Sequence, residues 1–162
     1  MTPSWWRQES PIGTLTVLAT NRGVQQIELG PTAFDVDAVE GCDDEVALEL
    51  DEYFSGRRRH FDVGLDWQLV GPFGRRVLRV TSEIPYGGVM SYAEVAADAG
   101  SPRGFRAAGN ALGSNPMPIV VPCHRVLHSG GGLGGYGGGL DRKRWLLELE
   151  GALQRRSPAS RT

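Results

Sequence analysis

Apolar positions recur along this chain at two different periods, and the change between them divides it. In GTLTVLA (13–19) Leu15, Val17 and Ala19 fall on every second residue, which predicts a strand. GVQQIEL (23–29) predicts a second strand, with TNR between them as a hairpin turn. DDEVALELDEYFSG (43–56) moves to helical spacing through Val46, Leu50, Tyr53 and Phe54. Asp43 or Asp44 can cap that helix and Gly56 can stop it. RRRHFDVGLDW (57–67) is a short basic run followed by a strand-like piece. From residue 71 the pattern is helical. Phe73, Val77, Val80 and Ile84 form one apolar face, ended by IPYGG (84–88). SYAEVAADAG (91–100) opens with Ser91 and has Glu94 three residues on, the pattern of a capping box. In SPRGFRAAGNALGSNP (101–116), Ser101 can cap, Pro102 suits the first helical turn, and Asn115–Pro116 ends the segment. LDRKRWLLELEG (140–151) predicts a last helix on Trp145, Leu146 and Leu149.

These elements predict an α/β (α+β) chain of two units. Residues 1–70 form a small sheet domain with one helix. Residues 71–162 form a helical domain with a polar tail from about residue 152. Two short helices joined by a tight glycine-containing connection fit a helix-turn-helix, although many helix pairs with that pattern never touch DNA.

Composition narrows the classes. At 162 residues and 40% hydrophobic content the chain can bury a real core. No stretch approaches the roughly 20 apolar residues of a membrane span, and MTPSWWRQESPIG lacks the features of a secretory signal, so a cytoplasmic protein without membrane contact is expected. The formal net charge of −2 hides an asymmetry. Residues 1–70 carry 5 Arg against 13 Asp and Glu, and residues 71–162 carry 12 Lys and Arg against 6 Asp and Glu. Either the basic half meets an anionic partner or the halves neutralise each other across an interface. The two cysteines form no CxxC pair, which argues against a zinc cluster. Cys42, in EGCDDE, sits among carboxylates that raise a thiol's pKa and make it a poor nucleophile.

Cys123 is different. It follows PMPIVVP (116–122), a stretch expected to be extended and buried, and precedes His124. Neighbours on an extended segment point in opposite directions. His124 could therefore draw the thiol proton only through a turn or a bridging water, with Arg125 adding positive charge and Glu150 a candidate to orient the imidazole. On the residues alone, a buried cysteine that happens to precede a histidine is the better reading, because free cysteines are commonly buried. Eight of the ten positions 130–139 are glycine, which suits either a loop passing close to a ligand or a flexible linker.

Taken in order, IPYGGVMSYAEVA (84–96), GFRAAGNALGSNP (104–116), IVVPCHRV (119–126) and GGLGGYGGGLDRKRWLLELEG (131–151) resemble the O6-alkylguanine-DNA alkyltransferases, also called methylated-DNA–protein-cysteine methyltransferases. SPIGTLTVLATNRGVQQIEL (10–29) is similar, more weakly, to that family's first domain. The resemblance implies a ribonuclease H-like first domain and a winged helix-turn-helix-like second one. It implies a single, irreversible transfer of an alkyl group, typically methyl, from O6 of guanine in double-stranded DNA, and less readily O4 of thymine, to Cys123. No cofactor or metal is implied, and the protein would act as a monomer with possible cooperativity on DNA. By the same resemblance His124 relays the Cys123 proton through water, Glu150 orients His124, Asn115 braces the turn, and Tyr92 polarises the departing guanine. Arg106 fills the stack left by the flipped base. Ala107 and Gly109 let the helix lie close to the minor groove, with Ser91 and Arg103 as further DNA contacts. Tyr136, Gly137, Val126, Pro118 and Met117 would wall the substrate pocket. Gly137 stands where some relatives carry serine, and Phe105 where smaller residues occur. A damage-binding protein without transfer, a cysteine hydrolase and a helix-turn-helix regulator are the competing classes.

Overall fold

The computed structural model describes residues 2–154; the polar tail expected from about residue 152 lies outside them from residue 155 on. Its first half is a four-stranded sheet in the order β3-β2-β1-β4, built from β1 (Ser4–Ser10), β2 (Gly13–Thr20), β3 (Gly23–Leu29) and β4 (Val39–Glu40). The β1–β2 and β2–β3 pairs are antiparallel hairpins, and β4 adds in parallel to β1. β2 and β3 lie where the alternation puts them. β1 has no clear two-residue period in the sequence, because Trp5 and Trp6 are adjacent. Trp6 is buried opposite Val17, while Gln8, on the same face, spends its amide on Ala47 and Asp51 of the covering helix. That helix, α1 (Asp44–Phe54), starts where Asp43 Oδ1 accepts from the Glu45 and Val46 amides. It buries Val46, Leu50, Tyr53 and Phe54. The strand-like piece at 57–67 is not a strand. It touches β3 by one bridge, Val24 to Leu65, in which the Val24 amide donates to the Gly64 carbonyl and the Asp66 amide to the Val24 carbonyl.

The second half holds α2 (Pro72–Ser82), α3 (Tyr92–Asp98), α4 (Phe105–Gly113) and α5 (Leu140–Leu149), with a short parallel pair, β5 (Met90–Ser91) and β6 (Val126–Leu127). α2 is buried through Val77, Leu78 and Thr81, with Ile84 just beyond its end. The capping box at the start of α3 is complete: Ser91 Oγ accepts from the Glu94 amide at 3.1 Å, and the Ser91 amide donates to Glu94 Oε1 at 2.9 Å. α4 begins later than the sequence suggests. Ser101 to Gly104 close a turn of their own through the Gly104 amide and the Ser101 carbonyl, and Pro102 serves that turn instead of the helix.

One continuous core runs from Trp6, Leu15 and Val17 in the sheet to Val95, Ala108 and Leu146 in the helices. The two halves also share main-chain bonds, since Ile27 on β3 donates to the Pro116 carbonyl at 2.8 Å. Among the described residues no helix is long and apolar enough to cross a membrane.

Candidate active site

The segment ahead of Cys123 is coiled, not extended. The Val121 amide donates back to the Met117 carbonyl, and the Cys123 amide to the Val121 carbonyl. Ile119, fully buried, sits at φ 77°. A β-branched residue in the left-handed region costs about 1–3 kcal/mol, so the surrounding packing must hold this turn in place. Asn115 clamps it from inside: its Nδ2 donates to the Val121 carbonyl at 2.9 Å, and its Oδ1 accepts from the Met117 amide at 3.0 Å. Cys123, His124 and Arg125 then form a single 3-10 turn. That turn replaces the extended chain expected there and leaves Cys123 half-buried at a cavity and His124 fully buried on Glu150.

Cys123 is half-buried at the floor of a cavity of about 400 Å³. Tyr92, Arg106, Gly109, His128, Tyr136 and Gly137 are among its walls. Burial raises the thiol's pKa; a hydrogen bond from Asn115 and the charge of Lys143 pull it back down. The resting side chain is therefore a thiol whose ionisation needs help.

Behind the turn is a buried charged cluster. Glu150, at the C-cap of α5, takes His124 Nε2 on Oε2 at 2.8 Å. Arg125 Nε donates to Oε1 at 2.8 Å and Arg125 Nη2 to Oε2 at 2.9 Å, while its Nη1 donates to the Ile84 carbonyl at 2.7 Å. Burial opposes the Glu150 charge, but His124 and Arg125 outweigh it and hold the carboxyl at about 2. His124 is fully buried, and burial lowers its pKa against the pull of Glu150. The imidazole is accordingly neutral near pH 7, donating from Nε2 and leaving Nδ1 unprotonated. Nδ1 bonds to no other group among the described residues.

The candidate residues divide clearly. Cys123, His124, Glu150 and Asn115 converge on the turn, and Tyr92 overlooks the cavity with its hydroxyl donating weakly to the Gly135 carbonyl at 3.4 Å. Arg106 and Gly109 line the same cavity, and exposed Ala107 and Arg103 lie at and before the start of α4. Ser91 is committed to its cap. Tyr136 and Gly137 are on the wall, but Met117 and Val126 are not. Both are fully buried in the core, because the coil at 116–122 and the β5–β6 pairing turn them inward. Pro118 lines a second, more polar cavity of about 330 Å³ beyond Cys123, on the side of β3. Arg125, expected to lend its charge to the thiol, faces Glu150 instead.

The cation that does face the thiol is Lys143, which the sequence reading passed over. Its fully buried Nζ donates to the Val126 carbonyl at 2.7 Å and the Gly135 carbonyl at 3.1 Å, tying β6 to the glycine loop. Burial pulls its pKa down to about 8. One signal was available, since Lys143 lies three residues before Leu146 and so shares the helix's inward face. His128 was also missed. Its ring packs on Tyr92 with centroids 5.3 Å apart, and nothing in the sequence marks it.

A sheet unit joined to a helical unit that sets a cysteine at a cavity beside α4, with a buried histidine–glutamate pair behind it, defines a two-part class of protein with a cavity-facing thiol. Residues 72–152 match the model of the 6-O-methylguanine DNA methyltransferase, DNA binding domain, and residues 8–67 that of the same enzyme's ribonuclease-like domain. The chain is 42% identical over 159 residues to a methylated-DNA–protein-cysteine methyltransferase of Mycolicibacterium paratuberculosis, covering 95% of this chain and 94% of that protein. It is 38% identical over 148 residues to one from Methanosarcina barkeri, covering 88% and 93%. The crystal structure of Mycobacterium tuberculosis OGT in complex with DNA superposes with a TM-score of 0.86 at 38% identity, covering 92% of this chain and 93% of that one. The chain belongs to the 6-O-methylguanine DNA methyltransferase family.

Proposed function

We propose that this chain repairs double-stranded DNA by moving the alkyl group of an O6-alkylguanine, methyl in the first place, onto its own Cys123. The observation that carries this reading is the placing of Cys123 at a cavity floor, next in the chain to a neutral His124 held on Glu150. In the step itself the Cys123 proton passes to His124 Nδ1, by way of water as the family resemblance implies. The sulfur electron pair forms the S–C bond, and the C–O6 bond breaks with its pair going to guanine. Tyr92, whose hydroxyl overlooks the cavity, is suited to meet the charge developing on the base. Glu150 stabilises the imidazolium that forms and does not itself take the proton. None of the groups lining the cavity among the described residues can cleave the thioether once it forms, so each molecule acts once.

The base must leave the duplex to reach this floor, at a cost of a few kcal/mol that is smallest for a damaged pair. Arg106 and the small residues Ala107 and Gly109 at the start of α4 face the direction from which it would come, and Arg103 adds charge there. A monomer in the cytoplasm with no membrane contact completes the reading. The test is a titration of a duplex carrying one O6-methylguanine. Restored guanine should equal the protein added and then stop. Continued turnover would favour a hydrolase, and tight binding without restoration would favour a damage-binding protein.

A further inference from the structure

The N-terminal domain hydrogen-bonds to the proposed relay through the Tyr53 hydroxyl. Tyr53 lies on the inner face of α1, fully buried among Phe54, Phe61 and Tyr86, with ring centroids 5.3, 5.4 and 6.4 Å away. Its hydroxyl donates to Glu150 Oε2 at 2.5 Å, across 97 residues of sequence. The same oxygen already takes His124 Nε2 and Arg125 Nη2, so it serves three donors while Oε1 serves one. A buried hydroxyl must find a partner, but a backbone carbonyl would have sufficed. This one is spent on the atom that holds His124.

We infer that Tyr53 is a positioning residue of the transfer reaction, which sets how strongly Glu150 holds and charges His124 and thereby makes the N-terminal sheet domain part of the relay. The inference rests on the relay reading given above. Its physical basis is competition. Each donor to a carboxylate oxygen withdraws electron density from the others, so the Tyr53 hydroxyl weakens the attraction between Glu150 and an imidazolium at His124. Without it, Glu150 favours the protonated imidazole more, and His124 becomes harder to keep neutral. The other groups facing this cluster are Arg125 on the 3-10 turn, Lys143 on α5, Cys123 beside it, and Tyr86 and Tyr136 at its margins, with Arg59 over the Tyr86 ring at 5.4 Å. Arg125 and Lys143 both oppose protonation of His124, and Tyr53→Phe leaves both charges in place. The sign of the change therefore comes from Tyr53 alone.

The test replaces Tyr53 with Phe, which keeps the ring and its packing, and follows the imidazole of His124 by NMR across pH in the full chain. Only His60 and His128 share the histidine spectrum. The midpoint of His124 should move to higher pH in Tyr53→Phe. The second-order rate of transfer should fall about 3- to 10-fold on the acid side while the neutral-to-alkaline plateau stays within about twofold, as expected for a base with a raised pKa. Phe61→Leu is the control, because it loosens the same packing without touching the carboxylate, and it should leave the His124 midpoint where it is. An unmoved midpoint in Tyr53→Phe, an equal shift in Phe61→Leu, or a rate loss uniform across pH would each overturn the inference. If the midpoint shifts but the wild-type rate does not follow the titration of His124, the coupling through Tyr53 stands and the relay reading fails.

Discussion

The two sides of the Cys123–Arg125 turn are built from opposite materials. In front, the cavity is walled by main chain, glycines and aromatic edges, and its few polar contacts are long, such as the 3.4 Å bond from Tyr92 to the Gly135 carbonyl. Behind, three residues converge on one carboxylate through four bonds of 2.5–2.9 Å, with every polar head buried. The front has to admit a base that is not there at rest, so it leaves space and donors free. The back has to keep one tautomer of one imidazole, so it spends every donor. The difference teaches where substitutions should matter and how. In front they should change which substrate enters; behind, they should change the proton chemistry and the fold together.

The most severe way to separate the two sides is to remove the sulfur. Cys123→Ser should abolish transfer altogether while duplex binding, measured by gel shift, persists. Lost binding would place Cys123 among the residues that hold the fold. Next comes the back. Glu150→Gln should slow transfer by ~10²-fold and lower unfolding free energy by about 3 kcal/mol, because Arg125 is left buried without its counter-charge. The same carboxyl makes a pH prediction. Its folded pKa of about 2 lies below an unfolded value of about 4.3, so its stabilisation is present in full above the unfolded value and is lost as pH falls through the folded one. Wild type should lose stability steeply between those limits in acid denaturation, and Glu150→Gln should show a shallower slope there.

The front should respond to DNA context. Arg106→Ala should reduce transfer from duplex by ~10-fold, the value of roughly 1.4 kcal/mol of base-flipping support, with a smaller loss on a free O6-alkylguanine base. Equal losses would remove Arg106 from the flipping step. The smallest effects come from two glycines of the loop. A Cβ on Gly134, at φ 72°, would stand 2.7 Å from the Tyr92 hydroxyl, so Gly134→Ala should displace that ring and cost about 1–2 kcal/mol. A Cβ on Gly137 would meet nothing nearer than 4.0 Å, so Gly137→Ser should change stability by no more than ~0.5 kcal/mol. If the two behave alike, the loop is not the fitted wall described.

Local features were legible in the sequence, and distant ones were not. The α1 cap and the Ser91–Glu94 box depend on residues two or three apart, and pattern alone located the box and narrowed the cap to Asp43 or Asp44. The resemblance carried by PCHRV selected Cys123, and α5 brought Glu150 to His124. What escaped depends on the path of the chain. The left-handed Ile119 reads as part of an apolar run, yet it turns that run into a coil and buries Met117. Arg125 reads as a charge beside a thiol, but the 3-10 turn carries it to Glu150. Tyr53 reads as one more core position of α1, and its hydroxyl finds its partner only after the two halves pack. Lys143 reads as one of three basic residues on a helix, and nothing in the run DRKR says which of them goes inside.

The most direct measurement of the central claim is peptide mass mapping of the intact chain after incubation with a duplex carrying a single O6-methylguanine. The account predicts one added methyl group per molecule, on Cys123, with Cys42 unmodified and no second addition at excess DNA. A methyl group on any other residue, or full restoration of guanine with Cys123 unchanged, would contradict it.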